Sequence, residues 1–169
     1  MSRRALIFIL AMSVVVTPLC ATSIQRLSLE ELVAKAQTIV EGNVVGANTY
    51  RSADAKLILT TYTFEVQESL KGSAGKTVTL TTVGGRIGNT VLRVSGMPVF
   101  QPGEKAVLFL EQAGAYTTVV GLNQGKFTVS NGQISNSVAG LSFADGSTGG
   151  AMKMPLDEFK RQVKLRLNR

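Results

Sequence analysis

Between Leu57 and Glu68 the chain reads with a period of two. Ile58, Tyr62, Phe64 and Val66 fall on one side, and Thr61, Thr63, Glu65 and Gln67 on the other. Side chains alternate across a strand but recur every 3.6 residues round a helix, so this segment is a strand with one buried and one solvated face. A strand of that kind is stable only beside others. Ile39-Val40-Glu41-Gly42-Asn43-Val44-Val45 reads as an earlier strand. Ser52-Ala53-Asp54 lies between the two as a turn, which predicts a hairpin. Leu70 to Gly75 is a further turn, and Lys76 to Val83 a threonine-rich strand with Val78 and Leu80 inward. Ala106 to Leu110 is wholly apolar and is expected at the centre of the sheet. Tyr116 to Val120 and Lys126 to Val129 follow as strands. Asn131-Gly132 is then expected to form a type I′ turn, because both residues tolerate positive φ, with Gln133 to Val138 returning.

Two segments break this rhythm with helical spacing. Ser28-Leu29-Glu30-Glu31 is a capping box, framed by Leu27 and Leu32 as a hydrophobic staple, and predicts a helix over Leu29 to Ala36. Leu29, Leu32, Val33 and Ala36 share its apolar face. Pro155 opens a last helix over Leu156 to Leu167, with Leu156, Phe159, Val163 and Leu167 at helical spacing. Asp157 and Glu158 near its start and Lys164, Arg166 and Arg169 near its end match the helix dipole. Ala144 to Gly150 is expected to be a flexible linker. Gly84 to Gly103 holds Gly84, Gly85, Gly88, Gly96, Pro98, Pro102 and Gly103, and is expected to be a long bent connection with one strand at Thr90 to Val94.

These elements predict a mainly β fold: a small OB-type barrel over residues 22–152, with a short N-terminal helix and a C-terminal amphipathic helix over 153–169. Residues 1–21 read as a leader. Arg3 and Arg4 precede an apolar run from Ala5 to Val16, Thr17 and Pro18 break it, and small residues allow a cut after Ala21 or Ser23. The expected location is the periplasm or the extracellular space. Arg3-Arg4 is too close to the start for a twin-arginine signal, and Leu19 before Cys20 argues against a lipoprotein box.

Removing the leader leaves 16 basic and 11 acidic residues, a net of +5. Residues 22–152 hold 10 basic and 9 acidic side chains, and 153–169 hold 6 and 2, so the basic character belongs to the last helix.

Ile39-Val40-Glu41-Gly42, Tyr62-Thr63-Phe64-Glu65-Val66 through Leu70-Lys71-Gly72, and Phe100-Gln101-Pro102-Gly103-Glu104 before Val107-Leu108-Phe109-Leu110 resemble the netrin-like modules, which include tissue inhibitors of metalloproteinases. The resemblance covers about residues 28 to 112 and implies a five-stranded OB-type barrel flanked by helices. The inhibitors of that family place an N-terminal Cys-x-Cys on a catalytic zinc. The expected mature start near Thr22 has no cysteine, so that mechanism does not carry over.

The chain has no histidine, and its one cysteine lies in the leader. A Ser–His–Asp triad, a cysteine nucleophile and a His/Cys zinc site are therefore excluded from the mature part. No cofactor is expected. Gly72-Ser73-Ala74-Gly75-Lys76-Thr77 has the ending of a phosphate-binding loop, and Ser73 with Lys76 matches Ser-x-x-Lys. Both motifs need a helix to follow, where the sequence alternates as a strand. Glu65 and Glu68 could suggest a glycosidase pair, but three residues apart on a strand puts them on opposite faces. Asp145 and Ser147 offer too few oxygens for calcium. Tyr62, Phe64, Phe100 and Phe109 could stack on bases, but they stand beside core aliphatics, and a nucleic-acid partner is not expected.

Two surfaces remain. In the glycine-rich connection, Gly84, Gly85, Arg86, Arg93, Gly96 and Pro98 would let a partner approach the backbone and meet a cation. The plain alternative is that these glycines turn corners. On the last helix, Lys160, Arg161, Lys164, Arg166 and Arg169 would meet an anionic envelope polymer or lipid, or else form a solvated face. The expected function is an exported, non-catalytic module that binds a protein partner. The rival readings are an envelope-surface protein held by its basic helix, and a hydrolase using carboxylates or Ser/Lys.

Overall fold

A computed structural model describes residues 23–147 and 151–168. The leader with Cys20, and Arg169, lie outside the described residues. The chain is mainly β, with a short helix near its start and a second at its end.

Helix α1 (Leu29–Lys35) forms as its capping box requires. Ser28 Oγ accepts from the Glu31 amide at 3.2 Å, and Glu31 Oε2 accepts from the Ser28 amide at 2.8 Å. Leu29, Leu32, Val33 and Ala36 are all buried. Strands β1 (Thr38–Arg51) and β2 (Ile58–Lys71) follow as a long antiparallel hairpin. Its turn is locked by Ser52 and Asp54: Ser52 Oγ donates to Asp54 Oδ1 at 2.6 Å and accepts from the Leu57 amide at 2.9 Å.

Next come β3 (Thr77–Val83), β4 (Gly85–Ile87), β5 (Thr90–Leu92), β6 (Lys105–Ala113), β7 (Tyr116–Val119), a 3₁₀ turn (Leu122–Gly125), β8 (Lys126–Ser130) and β9 (Gln133–Asn136). Strand β10 (Lys153–Pro155) leads directly into helix α2 (Leu156–Leu167). Asn131 and Gly132 both have positive φ, as the turn between β8 and β9 demands. Strand β4 and strand β10 were not expected. Each is three residues long, too short to show a period.

The main sheet runs β10-β9-β8-β6-β1-β2-β3, with β7 also on β6. Strands β4 and β5 form a separate ribbon. The expected barrel is corrected here, because the sheet is not closed. Strand β3 curls towards the four-residue β7 without pairing to it. The chain leaves β3 through Gly84 and Gly85 into the ribbon, so no ladder completes the seam.

Both faces of the curled sheet are buried at β6, which is why that strand is apolar from Ala106 to Leu110. On one face Ile39, Val107, Phe109, Phe127 and Ile134 pack with Leu32 and Val33 of α1 and Phe159 and Val163 of α2. Helix α2 is thus part of this core. On the other face Val40, Val44, Tyr62, Phe64, Leu80, Leu108 and Val119 surround Phe100. Phe100 meets Tyr62 and Phe64 edge-on, at centroid distances of 4.8 and 5.1 Å. The aromatics weighed as a stacking surface are therefore core.

The motifs behind the netrin-like resemblance do geometric work. At Gly42 a β-carbon would collide with the Glu65 carbonyl oxygen, so glycine lets β1 and β2 close at a bulge. Leu70 is buried, Lys71 Nζ donates to the Val33 carbonyl of α1 at 2.7 Å, and Gly72 takes a φ of 73° close to Gln37.

Candidate binding cleft

The ribbon β4–β5 leans over one end of the sheet. The bend that places it depends on Gly85, whose φ is 139°. A β-carbon there would lie 2.5 Å from Thr60 Oγ1 and 2.6 Å from Thr49 Cγ2. Thr60 is itself buried, and its hydroxyl donates to the Gly84 carbonyl at 2.7 Å. Ribbon and sheet edge are thereby joined backbone to side chain.

Between them lies a cleft of about 470 Å³, within the range of ordinary ligand pockets. Tyr62, Thr82 and Val83 form its sheet side. Gly84, Gly85, Arg86, Val91, Leu92 and Arg93 form its ribbon side, and Val94, Met97 and Val99 extend its rim. Val91, Val94 and Val99 are 41%, 39% and 62% exposed, high for valines in one short segment. They give the rim an apolar surface open to solvent.

Four of the six expected contact residues, Gly84, Gly85, Arg86 and Arg93, meet at this cleft. Gly96 and Pro98 do not. Both are buried, and Gly96 is pressed against the Leu141 side chain with no room for a β-carbon. Glycine turns the chain there at a φ of 72°, and Gly85 does so at the ribbon, while the Arg86 and Arg93 side chains are exposed. A larger open hollow of about 740 Å³ runs along Ser135–Ser147, and among the described residues no charged side chain lines it.

The basic helix differs from expectation. Lys160 reaches back to the sheet and contacts Glu41 Oε2, and it lies 2.7 Å from Glu68 Oε2. Lys105 holds the other Glu41 oxygen at 2.7 Å, and Lys164 holds Glu68 Oε1 at 3.0 Å. Arg161 makes a two-nitrogen contact with Glu158, and Arg166 donates to the Gln162 carbonyl at 2.9 Å. Three of the five cations expected to meet an anionic surface are thus occupied by carboxylates of the same chain.

Burial pushes the Glu41 carboxyl upward, but the bonds from Lys105 and Lys160 outweigh it and its pKa falls below the usual carboxylate range. The Lys160 bond, then that of Lys164, lowers Glu68 as well. Burial alone would lower Lys160, yet Glu41 and Glu68 raise it. On the far core, Glu104 and Lys126 form a second pair at 2.8 Å, joined by Thr128 Oγ1. The Lys126 ammonium also lies 4.3 Å above the Phe100 ring. Neither network was foreseen. An acid inside Ile39-Val40-Glu41 was the available signal, because a buried carboxylate demands a partner. The identity of that partner depends on a helix far along the chain.

The exposed 72–76 connection runs into β3 and opens no helix, so the phosphate-loop and Ser-x-x-Lys readings lack the element they need. Asp145 Oδ1 accepts from the Ser147 amide at 2.9 Å in a local turn. Among the described residues, no group of three or more metal-ligating side chains is present, and no helix is long and apolar enough to cross a membrane. No protein-family model, curated protein or solved structure matches the chain.

Proposed function

We propose that this is an exported binding module that engages a protein partner through the cleft beneath the β4–β5 ribbon. The carrying observation is the exposed apolar rim of Val91, Val94 and Val99 beside Arg86 and Arg93. Aliphatic surface with a cationic border suits protein recognition. The leader-like residues 1–21 support action in the periplasm or outside the cell. The capped helix, the bulged hairpin and the Leu70-Lys71-Gly72 corner support an open variant of the netrin-like OB module.

A carboxylate hydrolase is disfavoured by how Glu41 and Glu68 are paired. Glu41 and Glu68 share the Lys160 ammonium, which lowers both. Acid catalysis near neutral pH needs one carboxyl raised. Docking through the basic helix is disfavoured by its internal ion pairs.

The test is site-specific photo-crosslinking in the cell envelope. A photoreactive amino acid at Val91 or Val99 is expected to give discrete protein adducts, and one at Lys153 on the opposite sheet edge none. Equal labelling from all three positions, or none from the cleft, overturns the reading.

A further inference from the structure

Arg86 and Arg93 differ from the other cations that border a hollow. Lys160, Lys164 and Arg161 each have a carboxylate within 3.0 Å. Among the described residues, neither the Arg86 nor the Arg93 guanidinium makes a hydrogen bond or an ion pair, and both side chains are exposed. Guanidinium groups present a planar fork of donors that matches a carboxylate, and their weak hydration favours use at interfaces. Here two forks border one apolar cleft, and no acid among the described residues pairs with them.

The cleft also offers backbone. Among the described residues strand β5 pairs only with β4, which leaves its outer edge without a strand, and that edge leads on to the exposed Val94. An extended segment laid along such an edge forms ladder hydrogen bonds, and its alternate side chains point towards one face. Valine side chains supply apolar surface beside that edge: Val91 is on β5, while Val94 and Val99 carry the rim onward.

From these features we infer that the cleft takes an extended acidic-apolar segment of a partner protein. Its apolar side chains lie against Val91, Val94 and Val99, and its Asp or Glu side chains meet Arg86 and Arg93. This rests on the protein-partner reading above and narrows it to a partner chemistry. Basic or purely apolar segments are disfavoured, since they would leave both guanidinium groups unanswered.

The test uses the whole chain and three short fluorescein-labelled peptides at physiological ionic strength, read by fluorescence anisotropy. One peptide alternates valine with glutamate, one valine with glutamine, one valine with lysine. The glutamate peptide is expected to bind at least roughly tenfold more tightly than the glutamine one, and the lysine peptide more weakly still. The double variant Arg86→Gln/Arg93→Gln should erase that ranking. Val91→Ser/Val99→Ser should weaken the glutamate and glutamine peptides alike. All four side chains are exposed, so the variants should keep the parent's thermal melt. Failure of the glutamate peptide to bind below about 1 mM overturns the inference. So does equal binding of the glutamine peptide, or discrimination that survives loss of both arginines. Those results leave the crosslinking experiment to decide whether any protein is bound, whereas absence of cleft adducts removes both readings.

Discussion

Replacing Lys160 by methionine keeps the aliphatic stem and deletes the ammonium that joins α2 to the sheet. The carboxylate it leaves behind is the critical one: the Glu41 side chain is only 4% exposed. Removing one partner of a buried ion pair costs about 3–5 kcal/mol, because the other charge stays desolvated. Lys105 still holds Glu41 at 2.7 Å, which places the loss at the lower end. Glu68 is 36% exposed and keeps Lys164, so its share is a few tenths of a kcal/mol. The sum is about 3 kcal/mol, or roughly 6–12 °C in Tm for a domain of this size. Urea denaturation at neutral pH should show a lower midpoint with an unchanged slope. A loss below about 1 kcal/mol would refute the reasoning. The companion double variant Glu41→Leu/Lys160→Met removes both charges, and should recover most of the stability because apolar replacements of a buried pair cost little. If the double variant is as unstable as Lys160→Met, the stranded charge is not the cause.

The same network sets the pH window. Glu41 and Glu68 are lowered in the folded state, so their contribution is complete above their unfolded value of about 4.3 and is lost as pH falls through the folded values. Lys160 is raised, so its contribution is complete below its unfolded value of about 10.4 and is lost as pH rises through the folded value. Stability measured against pH should therefore form a plateau between about 5 and 10, and Lys160→Met should flatten the alkaline fall. Phe100→Ala opens a void between Tyr62 and Phe64 and should cost about 3–5 kcal/mol by denaturant midpoint. Ser28→Ala breaks the capping box and should cost about 1 kcal/mol, read the same way. Gly85→Ala has no room beside Thr60 and Thr49, and should displace the ribbon and abolish cleft-specific crosslinks without unfolding the sheet, as judged by circular dichroism.

The sequence was most legible where structure is local. The Ser28–Glu31 box, the 57–68 alternation and Asn131-Gly132 each encode their geometry within a few residues, and each appears as read. The closure of the sheet was not legible, because it depends on whether β3 and β7 pair, and no local pattern reports a missing ladder. Arg86 and Arg93 were identified from composition, and the structure adds the valines beside them. Gly96 was misread as a contact because a glycine that fits under Leu141 and one that opens a surface look the same in a sequence. The basic helix was misread for a related reason: a run of cations does not show which of them reach buried acids elsewhere.

The Glu41–Lys160 contact also orders events in time. A chain emerging from its N-terminus lays down Glu41 long before residue 160 exists. Until α2 arrives, the β1–β6 seam carries an acid without one of its two ammonium partners, and Phe109 and Phe127 lack the cover of Phe159. Arrested chains ending before α2 should therefore be cut readily by protease, and chains extended past it should resist. Helix α2 thus supplies both the cover and the countercharge that the strands before it lack.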